Sequence, residues 1–266
     1  MTSASGPTPS GPTRSGPTRE PPGSYDAVVL AGGRATRLGG VPKPTVVLDG
    51  DTLLDRALAA TRDAEHTVVV GPDLPLPPGR DVLVAREDPP FGGPVAGLDA
   101  GLRALERARR HEHPAGRRQA DGAAPAWVLV LAVDVPRATE AVPLLRAAVT
   151  HTAHAAQAAV DPGTSATDGA YLVRDGRAQW LVGLYRHEAL RGALDALAGT
   201  DGLSGLPVRR LVGLLRCVEV PDAEAVSADV DTWDDVRRLT VGLHDVVAEP
   251  AATATASEHA PPQERA

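Results

Sequence analysis

The sequence has little cysteine, few aromatic residues and no long apolar run, and each shortage excludes a class of protein. Cys217 is the single cysteine among 266 residues, so neither an internal disulfide framework nor a multi-cysteine zinc site can form. Aromatic residues make up 3% of the chain, so composition gives no hint of base-stacking platforms. No stretch reaches the roughly 20 apolar residues of a membrane-spanning helix, and no signal peptide is apparent. We therefore expect a cytoplasmic protein without a membrane partner.

The chain also lacks an excess of basic residues. Its 34 Asp and Glu residues outnumber its 27 Lys and Arg residues, which gives a formal net charge of -7. A broad basic surface for nucleic acid is therefore not expected. Any anionic ligand must be held by a local group of cations and backbone N–H groups.

Low-complexity sequence flanks and interrupts a central region. Residues 1–24 contain Ser-Gly-Pro-Thr three times, and residues 246–266 are rich in Ala, Thr, Glu and Pro. Such segments bury too little apolar surface to offset the entropy lost on ordering, so we expect two disordered tails. One domain is expected over residues 25–245, with residues 111–126 as an exposed loop insertion.

Between the tails, short apolar runs alternate with helical patterns, which is typical of βαβ units and a mostly parallel sheet. Strands are predicted at Ala27–Leu30, Thr67–Val70, Asp81–Ala85, Trp127–Val133, Ala158–Val160 and Leu214–Val220, with a hairpin of Tyr171–Val173 and Leu181–Tyr185 turning near Asp175-Gly176. Helices are predicted after a Thr52 cap, through Leu98, Leu102 and Leu105, and over Thr139–Thr150 and Val236–Leu243. The fully apolar run at Trp127 predicts the centre of the sheet. The predicted fold class is α/β.

The strongest chemical signal runs from Leu30 to Lys43 and reads L-A-G-G-R-A-T-R-L-G-G-V-P-K, beginning where the first strand ends. Glycines let backbone N–H groups turn toward a phosphate chain, and Arg37 and Lys43 can neutralise its charge. The spacing is neither that of the Walker loop nor G-x-G-x-x-G. A flexible turn with two solvated cations is the alternative, and the preceding strand disfavours it.

Acidic residues stand at two further places. Asp134 ends the apolar strand at the sheet edge where ligands collect, so its carboxylate could hold Mg²⁺ that bridges phosphate oxygens. Pro136 allows the alternative that Asp134 caps the next helix. In the run Asp229–Asp235, Asp231 could add a second metal contact, or the carboxylates could cap the last helix. The residues themselves favour neither of these two readings.

Several of these segments resemble the MobA-like NTP transferases. That family has a Leu-Ala-Gly-Gly run followed by arginine, glycine and lysine, and the doubled Gly39-Gly40 resembles the molybdenum cofactor guanylyltransferases in particular. Further similar segments are Phe91–Leu102, Leu131–Pro136, Gln179–Tyr185 and Asp229–Asp235. The chain departs from the family pattern at Val133, where cysteine is usual, at Trp233, where proline is common, and at Pro42, where these guanylyltransferases tend to have aspartate.

The resemblance implies a three-layer Rossmann-like nucleotidyltransferase fold and a set of site residues. The implied nucleotide site comprises Leu30, Ala31, Gly32, Gly33, Arg34, Lys43, Glu87, Asp88, Gly92, Gly93, Pro94 and Asp134. Which of Glu87 and Asp88 contacts the nucleotide stays open. The implied catalytic residues are Arg37, Lys43 and Asp134, with Gln179 toward the acceptor and Mg²⁺ on Asp134 and Asp231.

The resemblance also implies a reaction. We expect transfer of GMP from GTP, or of another NMP from its NTP, to a phosphorylated small molecule, with molybdopterin as the first choice of acceptor and pyrophosphate as the product. Transient contact with molybdenum cofactor proteins is part of this expectation. Because the departures concern the acceptor, cytidylyl-, sugar-phosphate and phospholactate nucleotidyltransferases stay open. A catalytically idle nucleotide-binding protein is the alternative that retention of Lys43 and Asp134 disfavours.

Overall fold

A computed structural model describes residues 23–33, 38–112, 125–158 and 167–247. Its strands are β1 Asp26–Leu30, β2 Val47–Leu48, β3 Asp51–Thr52, β4 Thr67–Val70, β5 Leu83–Ala85, β6 Trp127–Ala132, β7 Gly169–Arg174, β8 Arg177–Arg186 and β9 Cys217–Pro221. Its helices are α1 Leu53–Ala60, α2 Gly93–Glu112, α3 Ala138–Ala158, α4 His187–Asp201, α5 Val208–Val212 and α6 Trp233–Val247, with a short 3-10 helix at Lys43–Thr45.

Seven strands form the central sheet in the order β5-β4-β1-β6-β8-β7-β9. All of them run in one direction except β8, which pairs antiparallel with β6 and β7. The chain goes outward from β1 to β4 and β5 and returns through α2 to β6, on the other side of β1. The strand order therefore reverses between β1 and β6. In open α/β sheets, ligands bind beyond the carboxyl ends of the strands at such a reversal.

Helices cover both faces of this sheet. Alternate residues of β6 point to opposite faces, so Val128 and Val130 join a core with Leu102 of α2, whereas Leu129 and Leu131 join a second core that includes residues of α3. The result is three layers with β6 as the fourth of seven strands. The predicted α/β class and the central position of the Trp127 run are confirmed.

Local signals also set two boundaries as predicted. Thr52 caps α1 in a reciprocal arrangement. The Thr52 side chain accepts a hydrogen bond from the backbone N–H of Asp55, and the Asp55 carboxylate accepts one from the backbone N–H of Thr52. The hairpin of β7 and β8 turns at Asp175 and Gly176, which have φ angles of 50° and 70°. Asp and Gly tolerate this left-handed conformation better than other residues do.

Other boundaries differ from the sequence prediction. The helix α3 continues to Ala158, so the predicted strand at Ala158–Val160 is wrong at its first residue, and residues 159–160 lie outside the described residues. Alanine and glutamine favour helix strongly, which explains the extension. The helix α2 likewise continues through His111 to Glu112, where a loop was expected. Residues 113–124 of that insertion lie outside the described part of the chain.

The last strand is also shorter than predicted. It begins at Cys217, because Leu214 and Leu215 donate backbone hydrogen bonds into the turn that ends α5. The final helix is longer and covers Trp233–Val247. The predicted tails lie outside the described residues apart from residues 23–24 and 246–247. Among the helices that the structure describes, none is both long enough and apolar enough to span a bilayer.

A buried carboxylate shapes the loop between β9 and α6. Asp222 accepts hydrogen bonds from the backbone N–H groups of Val226 at 2.8 Å and Ser227 at 2.9 Å and from the Ser227 hydroxyl at 2.5 Å. Farther along, the N–H of Val230 donates to the carbonyl oxygen of Asp134 at 2.8 Å. This bond holds the segment before α6 against the end of β6.

Candidate functional site

A cleft of about 480 Å³ opens where β1, β4 and β6 end. This volume lies in the usual range for small-molecule sites. The predicted residues that line it are Leu30, Ala31, Gly32, Gly33, Lys43, Glu87, Gly93, Pro94 and Asp134. The topology explains why they meet, since the carboxyl ends of parallel strands share one edge of the sheet.

The glycine turn after β1 is enclosed by neighbouring backbone. The N–H of Ala31 donates to the carbonyl oxygen of Val70 at 2.8 Å, and that of Gly71 donates to Ala85 at 3.0 Å. A Cβ atom on Gly71 would lie 3.0 Å from the carbonyl carbon of Ala31 and 3.2 Å from the nitrogen of Gly32. Gly71 therefore permits the end of β4 to lie against the turn. The sequence analysis missed it, although a glycine directly after an apolar strand was a usable signal.

Lys43 lies between two carboxylates. Its Nζ atom donates to Asp134 Oδ2 at 2.7 Å and to Asp231 Oδ1 at 2.5 Å. The lysine begins the short 3-10 helix, Asp134 follows β6, and Asp231 precedes α6. All three side chains are partly buried. Three distant parts of the sequence therefore place one cation and two anions at the edge of the cleft.

Burial and charge act in opposite directions on these groups. Burial raises the pKa of Asp134 above its ordinary value, although the charge and hydrogen bond of Lys43 lower it. For Lys43, burial lowers the pKa, but the charges and hydrogen bonds of Asp134 and Asp231 raise it more, so that the final pKa is raised. The ammonium group therefore keeps its proton. That ammonium opposes the effect of burial and so favours the ionised form of Asp134.

The cap of α6 is made by residues other than Asp231. Asp235 Oδ2 accepts from the backbone N–H of Thr232 at 2.8 Å, and the Thr232 hydroxyl accepts from the N–H of Asp235 at 3.2 Å. Asp229 pairs with Arg174 at 3.1 Å. The Asp231 side chain thus contacts Lys43 while its neighbours stabilise the helix and the loop. Asp134 also differs from a helix cap, because α3 begins only at Ala138.

The donor set of Asp134 and Asp231 suits a hard cation. Carboxylate oxygens from both residues already approach one ammonium nitrogen, and Mg²⁺ is commonly held by one or two carboxylates together with phosphate oxygens. A separate cluster of Asp26, Glu65 and His66 has ligand atoms within 4.8 Å of one another. It lies at the opposite end of β1, where Arg109 already pairs with the buried Asp26.

Some predicted residues lie apart from the cleft lining or outside the described residues. Asp88 lines a second cleft of about 490 Å³ beside α2, whose lining lacks Lys43 and Asp134. Gly92 is buried, and its carbonyl oxygen accepts from Gly205 at 2.8 Å. Gln179 donates to the carbonyl oxygen of Arg177 at 3.3 Å, and Leu181 two residues later lines the cleft. Arg34 and Arg37 lie outside the residues that the structure describes.

Comparison with known proteins points to one family. The model of the family described as MobA-like NTP transferase domain matches residues 27–213, which is more than half of the chain. A molybdenum cofactor guanylyltransferase of Pseudomonas syringae pv. tomato is 34% identical over 123 residues, which are 45% of this chain and 51% of that protein. The chain spans about half the length of the curated relatives it matches.

Solved structures show the same fold at low identity. Molybdopterin-guanine dinucleotide biosynthesis protein A from Archaeoglobus fulgidus matches with a TM-score of 0.55 and 19% identity, over 83% of this chain and 100% of that one. A 2-C-methyl-D-erythritol 4-phosphate cytidylyltransferase from Thermus thermophilus matches with a TM-score of 0.51 and 21% identity, over 84% and 99%. Both bear on the fold alone.

Removing the Lys43 charge should make stability more pH-dependent. In Lys43→Met, Asp134 loses the ammonium that lowers its pKa, so its folded-state pKa should rise further above the unfolded value. A group whose pKa is higher in the folded state than in the unfolded state stabilises the fold at pH values below its unfolded-state pKa. This stabilisation is lost as the pH rises through its folded-state pKa. As the pH rises above the ordinary Asp pKa of about 3.9, we expect the variant to lose about 1–3 kcal/mol more of its unfolding free energy than the wild type does.

Urea unfolding in EDTA, which excludes divalent cations, measures this difference. Lys43→Arg keeps the positive charge and is the matched control, so its pH profile should follow the wild type. Parallel profiles for Lys43→Met and the wild type would show that the ammonium does not support the charge of Asp134.

Proposed function

Because the chain belongs to the MobA-like NTP transferase family, we propose that it transfers GMP from GTP to molybdopterin with release of pyrophosphate. The observation that carries this proposal is that Lys43 and Asp134 line one cleft with the glycine turn, while Asp231 contacts Lys43. Each group suits a triphosphate: the turn offers backbone N–H groups, the lysine a positive charge, and the carboxylates a metal site. A location in the cytoplasm and transient contact with molybdenum cofactor proteins are part of the same proposal.

The triphosphate is bound by Gly32, Gly33 and Lys43, with Arg37 as a second cation on the leaving phosphates. Asp134 and Asp231 would hold Mg²⁺, which when bound neutralises phosphate charge. An oxygen of the acceptor phosphate attacks the α-phosphorus, forming one P–O bond while the bond to the β-phosphate oxygen breaks. The acceptor phosphate is already ionised near neutral pH, so no side chain needs to remove a proton. Catalysis rests on positioning and electrostatic stabilisation.

Glu87 supports guanine over cytosine as the base. Of the two adjacent acidic residues, Glu87 lines the cleft, and its Oε1 atom would be 3.8 Å from a Cβ placed on Gly32. A carboxylate accepts hydrogen bonds, and guanine presents two adjacent donors, N1–H and the N2 amino group. The corresponding edge of cytosine presents two acceptors, N3 and O2, beside its amino group. A carboxylate would repel these two acceptors. This contrast favours GTP over CTP.

Pyrophosphate release from each of the four NTPs, with Mg²⁺ and molybdopterin, tests the reaction directly. We expect release with GTP and little with the other nucleotides, because Glu87 selects the base. Sugar phosphates and phospholactate in place of molybdopterin are the control acceptors. A preference for CTP or for another acceptor would replace the proposal with one of the related transferases, and no release in any combination would indicate an idle nucleotide-binding protein.

Asp134→Ala should lower turnover at least about 100-fold, because it removes a charge that acts on the reacting phosphates. The fold should survive, because Lys43 keeps its hydrogen bond to Asp231 and is therefore not left as an unpaired, partly buried charge. Steady-state kinetics and circular dichroism measure the two effects. The matched control is Asp63→Ala, on an exposed side chain that pairs with Arg62 away from the cleft. Near-normal turnover in Asp134→Ala would exclude its metal role.

A further inference from the structure

Phe91 is an exposed aromatic residue in a chain that has few. It is the single phenylalanine of the sequence, its side chain is 63% exposed, and it lines the cleft that contains Lys43 and Asp134. Its φ angle of 65° lies in the left-handed region, which bulky residues rarely adopt. A strained backbone conformation at a cleft is often associated with function.

The surrounding loop holds Phe91 in this position. Its backbone N–H donates to Glu87 Oε1 at 3.1 Å, which connects it to the other cleft residue of the same loop. Gly92 follows, where an added Cβ would lie 2.9 Å from the Cβ of Ala96. The carbonyl oxygen of Gly92 accepts a hydrogen bond from the N–H of Gly205. Gly93 then starts α2 with a φ angle of 85°. The loop backbone is held on both sides of Phe91, so the point from which the ring extends is set before a ligand binds.

The remaining lining of the cleft complements an aromatic ring. The aliphatic residues Leu30 and Val70 belong to the lining, and Gly97 adds helix backbone without a side chain, where a Cβ would lie 3.3 Å from Leu30 Cδ2. The charged side chains of Lys43 and Asp134 belong to the same cleft. A ligand with a charged chain and a flat, weakly polar ring would satisfy both kinds of surface.

We propose that Phe91 determines specificity by stacking on the nucleobase of the bound NTP, and that the larger face of a purine gains more from this contact than a pyrimidine does. The inference rests on the proposed function, since it places the base of the same nucleotide. Stacking covers the exposed ring and is tolerant of orientation, so it adds affinity to the hydrogen-bond selection by Glu87. Phe91 acts on binding and contributes little to the chemical step.

Calorimetry on the full chain tests this inference with three ligands: Mg²⁺ complexes of GTP, CTP and inorganic tripolyphosphate, which lacks a base. Phe91→Ala should weaken GTP binding about ten-fold or more. It should weaken CTP binding less and leave tripolyphosphate binding unchanged. Phe91→Trp should retain the affinity for GTP. With saturating GTP, kcat of Phe91→Ala should stay near that of the wild type while KM rises.

Two further variants separate the ring from the backbone. Phe91→Gly removes the ring and relieves the left-handed strain, so it should melt no lower than the wild type and still lose affinity for GTP. Val84→Ala removes another exposed apolar side chain, on β5, and should change nothing. Equal GTP affinity in the wild type and Phe91→Ala would overturn this inference alone, as would an equal loss for tripolyphosphate. A wild type that binds no NTP would overturn the proposed function as well.

Discussion

The arrangement of the site depends on the ammonium group of Lys43, which lies between Asp134 and Asp231. Those partners are 91 and 188 positions away in the sequence, so the contact can form only when the short 3-10 helix, the end of β6 and the segment before α6 are all in place. The backbone bond from Val230 to Asp134 and the hydrogen bonds of Asp222 bring the two acidic segments together. The geometry of the cleft around Lys43 therefore depends on the correct folding of the sheet.

The position of Asp134 is unfavourable for a carboxylate, and Lys43 offsets part of that cost. Burial raises the pKa of Asp134, which means that keeping an ionised carboxylate at this position costs the protein free energy. On the proposed function, an incoming triphosphate gives the ammonium a new partner, and a divalent cation can then take the carboxylate oxygens. The three side chains that pair with one another in this structure would then pair with phosphate and metal instead.

The sequence predicted those parts of the structure that local patterns determine. Apolar runs identified β1, β4 and β6 because strands buried on both faces need continuous hydrophobic sequence, and Thr52 and Asp175-Gly176 marked a helix start and a turn. The glycine turn, Lys43 and Asp134 were expected to share one cleft because parallel strands end at one edge. Tertiary packing decided the rest: it put Glu87 and Asp88 on different clefts, left the cap of α6 to Asp235 rather than Asp231, and brought Gly71 against the turn.

A crystal structure of the chain with Mg²⁺ and a GTP analogue that cannot be cleaved between its α- and β-phosphates tests the central claim most directly. The account predicts the triphosphate against Gly32 and Gly33, Lys43 Nζ on a phosphate oxygen, and the metal on Asp134 and Asp231. A nucleotide bound in the cleft beside α2 that Asp88 lines, or a triphosphate remote from Lys43 with its metal held elsewhere, would contradict it.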